Sequence, residues 1–173
     1  MNTSELLLEA FGRVHEAVPA VVEGLGDDDL AHRPDADANS ITWLVWHLTR
    51  VQDDHVAAVA DVEQVWTTDG WFSRFGLPLD VADTGWSHSS DQVAAVRVSS
   101  ADLLTGYHEA VHRMTVAYLR GVDDEELDRV VDTRWDPPVT AGVRLISVAE
   151  DTMMHVGQAA YLRGLVERSK RQV

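Results

Sequence analysis

The chain has 173 residues, 45% of them hydrophobic and 25% charged, which suits a single domain spanning 1–173 around one core. Its 29 acidic residues against 14 basic ones give a net charge of −15, which repels phosphate backbones and anionic lipid, so neither nucleic acid nor a membrane is an expected partner. It has no cysteine, which excludes disulfides, thiolate metal sites and a cysteine nucleophile; any thiol chemistry must bring its thiol with a substrate.

No run approaches the roughly 20 apolar residues of a membrane-spanning helix. The start, MNTSELLLEA, is acidic and lacks the basic opening of a secretory signal, so the expected location is the cytoplasm. Thirteen of the fourteen basic residues are Arg, Lys170 being the exception, a usage that fits a GC-rich genome.

The first predicted helix covers 4–25, capped by Thr3 or Ser4 and ended by Gly26, with Pro19 as an expected kink. Leu7, Phe11, Val14, Val18, Val21 and Leu25 recur at spacings of three and four. The loop HRPDADANS follows, then a second helix over 41–62 capped by Asn39 or Ser40. Residues 63–98 read as a long irregular connection rich in glycine and aromatics, with a short helix around Asp91–Val96. A third helix is expected over 100–121, a short DDEEL turn and the rigid WDPP after it, and a fourth helix over 144–168. Four amphipathic helices with little strand signal predict an all-α four-helix bundle.

On the fourth helix a residue advances about 100°, which aligns Val148, Asp151, His155, Ala159, Leu162 and Val166 on one stripe. That stripe is apolar at both ends and polar in the middle. A buried carboxylate without a partner is costly, and a metal ion would bind the ionised carboxylate and the neutral imidazole together. Asp151 and His155 are four apart and therefore stacked along the helix. Glu150 lies about 140° from His155 and should face outward. A structural Asp–His hydrogen bond is the alternative.

On the second helix Leu44, Leu48, Val51, His55, Ala58 and Val62 form the apolar stripe. His47 sits at its edge, about 40° from Val51, either as a boundary residue or as a ligand. His55 lies deeper, as a rival ligand or a neighbour of the site. Asp54 shares the direction of His47 and is expected to bond its free ring nitrogen. His108 and His112 form another i, i+4 pair, expected to be solvated. His15, His32 and His88 show no partner.

The pattern RP-x-x-x-x-NSITWLVWHL at 33–48, together with DTMMHVGQAAYLRG at 151–164, resembles the DinB-like superfamily. The matching branch includes mycothiol-dependent maleylpyruvate isomerase and related thiol S-transferases. The resemblance implies up-down-down-up topology with a long connection between the second and third helices. It also implies a divalent metal, commonly zinc and in other cases nickel or another ion. The implied ligands are His47 from the second helix and Asp151 and His155 from the fourth. Many members carry His or Glu where this chain has the shorter Asp151.

Three N/O ligands with an open position suit a catalytic site, where a bound thiol would lose its proton near neutral pH. The implied partners are a small thiol such as mycothiol and a small electrophilic substrate. Asp54, His55 and Gln158 would contact the ligands or the substrate. The implied activity is S-transfer or thiol-assisted isomerisation; the alternatives are a metal-binding protein without catalysis and a metal-dependent hydrolase. Relatives are often dimers, so the resemblance also admits a homodimer.

Overall fold

The structure is a computed structural model that describes residues 1–171. Four long helices make the frame: α1 (Thr3–Val22), α3 (Ile41–Ala60), α7 (Ala101–Leu119) and α9 (Ala141–Lys170). Between them run α2 (Asp27–Leu30), α4 (Val65–Thr68), α5 (Trp71–Phe75), α6 (Ser90–Ala95), α8 (Asp124–Asp128) and the strands β1 (Val130–Asp132) and β2 (Val139–Thr140). The fold is the expected all-α, DinB-like bundle.

The ends are set by local chemistry. Asn2, one residue before the caps expected, caps α1 in a capping box with Glu5. Ser40 and Thr140 accept the third backbone amides of α3 and α9. Each such cap is worth about 1 kcal/mol. Thr140 is at once the last residue of β2 and the cap of α9, so the fourth helix starts three residues before the predicted 144. The short antiparallel β1–β2 pair, in which Val130 faces Thr140, was not expected from the sequence; a two-residue strand has too little pattern to read. Helix α1 runs through Pro19 to Val22.

Side-chain pairs fix the directions. Ser4 reaches Leu119, and His15 stacks on His112, so α1 and α7 are antiparallel. Thr49 meets His108 and Gln52 meets Thr115, so α3 and α7 run parallel. Arg163 bonds the Glu23 carbonyl while Leu7 clusters with Leu145, so α1 and α9 run parallel. The order is therefore up-down-down-up. Two consecutive parallel helices need a crossover along the bundle, which is why the segment between α3 and α7 is long.

That crossover packs on α3. Trp66, Trp71, Phe75, Leu77, Val93, Val96 and Val98 join the main core with Leu44, Trp46 and Leu48. As a result residues 41–50 of α3 are buried on every face. The buried Asp53 carboxylate accepts the Val65 and Trp66 amides and the Tyr107 hydroxyl, pinning the start of the crossover. Arg50 is also fully buried; it donates to the Asp83 carbonyl, Gln64 and Tyr107 and stacks on Trp66.

Candidate metal centre

Helices α3 and α9 pack side by side and bring His47, Asp151 and His155 together. One ligand atom from each lies within 4.8 Å of the others. Among the described residues this is the one group of three such side chains found to do so. The His47 and His155 rings meet edge to face at 4.8 Å between centroids.

The two imidazoles are held in defined tautomers. His47 Nδ1–H donates to the Thr84 carbonyl at 2.6 Å, leaving Nε2 bare. His155 Nδ1–H donates to Gln158 Oε1 at 3.0 Å, again leaving Nε2 bare, and that atom lies 3.5 Å from Asp151 Oδ1. A separation of 3.5 Å is too long for a strong hydrogen bond, so the pair is not closed on itself. Asp151 Oδ2 is buried and has no partner. Two bare imidazole nitrogens beside an orphaned carboxylate oxygen fit a divalent cation, which would satisfy all three.

The protonation tendencies agree with this. Burial, chiefly, holds the His47 imidazole below its ordinary range, so it is neutral near pH 7. Burial disfavours charge on His155 too, but the Asp151 carboxylate outweighs it and raises the imidazole above its usual value. Burial likewise opposes the Asp151 charge, and His155 more than offsets it, so the carboxyl titrates below its usual range. A metal would take the place of the proton that the Asp151 carboxylate favours on His155.

The loop 83–88 forms the wall over His47. Arg50 holds its backbone through the Asp83 carbonyl. The Asp83 carboxylate accepts the Gly85 amide and His88 Nε2–H, and His88 Nδ1 accepts the Trp43 indole N–H. Trp43 in turn stacks on His47 at 4.5 Å, 15° from parallel. Gly85 has φ +92, and a Cβ there would stand 2.7 Å from His47 Nδ1. Only glycine leaves room for the ring at that position.

The triad opens on a cleft of about 620 Å³ whose walls also include Val51, His55, Trp86 and Arg134. Trp86 stands at the rim, 84% exposed. His55 is half-exposed on the wall and contacts Asp54 at 3.4 Å; burial first, and Arg144 second, hold its imidazole below the ordinary range.

The structure revises several expectations. His47 is the buried histidine and His55 the more open one, the reverse of the order read from the helical stripe, because the crossover covers the His47 side of α3. Asp54 does not bond His47; it accepts from Gln64 and lies beside His55, while Thr84 takes the His47 proton. Gln158 Oε1 accepts from His155 Nδ1–H. His108 is 1% exposed rather than solvated, bonded to Thr49 and packed near His15. His88, which had no visible partner, is bonded to Asp83 and Trp43. Thr84 and Gly85 were not singled out; the short DTG turn was their one signal, and it does not say what it packs against, while Trp43 lay inside the NSITWLVWHL pattern with no role assigned to it.

Comparison with known proteins is consistent with the geometry. A family profile described as mycothiol-S-transferase matches residues 6–168. A solved structure, the crystal structure of the conserved protein of locus from Enterococcus faecalis, is 34% identical and superposes with a TM-score of 0.90. The alignment covers 96% of this chain and 98% of that one. No curated protein matches the chain.

Proposed function

Because the chain belongs to the mycothiol-S-transferase family, we propose that it is a divalent-metal-dependent enzyme that activates a low-molecular-weight thiol for S-transfer or thiol-assisted isomerisation. His47, Asp151 and His155 would hold the ion, with zinc the first choice and nickel another that this donor set accepts. The ion would act as a Lewis acid that lowers the pKa of a bound thiol. The observation that carries the proposal is the pairing of two bare imidazole nitrogens with the unpartnered Asp151 oxygen in a family of thiol transferases.

The chain's own residues supply the rest. Thr84 and Gln158 keep the two ring protons away from the triad. The neutral His55 on the cleft wall is available to take the thiol proton. Trp43, Val51 and Trp86 offer apolar wall to a small electrophile. Mycothiol is the proposed thiol, and the absence of cysteine leaves no protein thiol to compete for the metal. Among the described residues no helix is long and apolar enough to cross a membrane. The proposed setting is the cytoplasm, where small thiols are kept reduced.

A homodimer belongs to the same proposal. Val143, Ile146, Met153, Met154 and Tyr161 are all exposed and fall within about 100° on the outer side of α9. An apolar stripe of this kind suits burial against a second copy.

The test is metal content of the untagged protein by elemental mass spectrometry, wild type beside His155→Ala, followed by conjugation assays with mycothiol. The expected result is one divalent ion per chain in the wild type, its loss in the variant, and thiol-dependent turnover. A wild type that takes up no metal after incubation with zinc or nickel would overturn the proposal. Sedimentation velocity decides the dimer.

A further inference from the structure

The cleft continues beyond the triad. A second chamber of about 280 Å³ lies between α3 and the β1–β2 hairpin, with Val131, Asp132, Arg134 and Arg144 in its walls. Asp54, His55 and Arg134 line both chambers, so the two adjoin.

This second chamber is built around one carboxylate. Asp132 is 8% exposed and accepts the Arg134 amide at 3.0 Å, its Nε at 2.9 Å, its Nη2 at 2.8 Å, and Arg144 Nη2 at 3.0 Å. Asp132 therefore gathers two guanidinium groups, while Asp54, the other carboxylate in the walls, accepts from Gln64 and balances the chamber's charge. The Arg144 side chain is only 20% exposed, so its position is set by packing. Arg134 Nη1, Arg144 Nε and Arg144 Nη1 have no acceptor among the described residues, and none is sealed from solvent. Fixed guanidinium donors with spare N–H groups are the usual complement of a carboxylate.

On the reading of the triad as the reactive centre, we infer that this chamber is a subsite for a carboxylate group on one of the two reactants. The reacting end of that molecule lies at the triad, and its anionic end lies past His55, between Arg134 and Arg144. Trp86 on the rim covers the organic body between the two ends. The carboxylate belongs either to the electrophile or to the thiol, and kinetics separate the two.

The experiment titrates the full-length protein, after incubation with zinc, by NMR with 3-phenylpropionate and with 3-phenylpropionamide, which has the same shape but no charge. The acid should bind at least about tenfold more tightly than the amide, and that preference should vanish in Arg134→Met/Arg144→Met. Arg134→Met alone, at a side chain 84% exposed, should still lose severalfold if the double variant misfolds. Equal binding of acid and amide overturns the inference. So does acid binding that survives in the double variant, as it would for a carboxylate sitting on the metal. Metal content measured on the same samples reports separately on the triad, so a metal-free wild type defeats the reactive-centre reading while the titration still decides the chamber. In turnover, a KM that rises in the variant for the electrophile or for the thiol identifies which reactant carries the carboxylate, and a KM unchanged for both overturns the subsite.

Discussion

Replacing Gly85 with alanine should damage the metal site without replacing any proposed ligand. The new Cβ would stand 2.7 Å from His47 Nδ1, 3.0 Å from the Trp46 ring and 3.2 Å from the Trp43 ring, all three belonging to buried side chains. The backbone there, at φ +92, costs a non-glycine residue about 1–2 kcal/mol. Overpacking adds about 1–3 kcal/mol. The sum, roughly 2–5 kcal/mol, lowers the melting temperature by about 5–15 °C for a chain of this size. The collision falls on the Thr84–His47 hydrogen bond, and losing such an outer partner costs about 10–100-fold in metal affinity. Gly76→Ala is the control: φ is +59 there, but the nearest atom to its Cβ is 4.0 Å away, so it carries backbone strain without collision. The assays are thermal melts and zinc affinity by chelator competition. If Gly85→Ala binds zinc within twofold of wild type, or matches Gly76→Ala in both assays, the account of how His47 is held is wrong.

Gln158→Leu removes the acceptor that fixes the His155 tautomer at an exposed position, so zinc affinity should fall about tenfold with little change in melting temperature; chelator competition beside a melt separates the two effects. Asp53→Ala should cost about 3–5 kcal/mol, because it leaves the buried Arg50 charge without its counter-ion and two amides of the crossover without their acceptor; urea titration measures this, and hydrogen exchange should show residues 64–88 opening first. The third concerns pH. Burial, chiefly, drives His108 down to about 3, with His15 and His112 adding to it, so the fold keeps it neutral while the unfolded chain protonates near 6.5. The unfolded state then binds more protons, and stability is full above about pH 6.5 and falls as pH drops toward 3, by at most about 1.4 kcal/mol per unit. His108→Leu should flatten that dependence in denaturant melts run from pH 7 to pH 4.

What the sequence determined by itself is what short stretches of chain decide alone. The cap at Ser40, the i, i+4 placement of Asp151 and His155, and the apolar stripe from Val148 to Val166 depend on the geometry of a single helix, and they stand in the structure as read. The tertiary structure decided which side of each helix is inside and what each polar atom meets. Periodicity placed His47 at an edge and His55 deeper, but the crossover from Asp61 to Ser100 buries the His47 side and leaves His55 on the cleft. The packing of α1 and α3 on α7 made His108 a core residue, and the crossover gave His88 and Asp83 to each other and set the Thr84 carbonyl against His47. Those contacts join residues 37 to 59 positions apart or depend on a loop closing on itself. A helical wheel contains no such distances; only packing supplies them, because burial is a property of the neighbours and not of the strand of sequence that carries the residue.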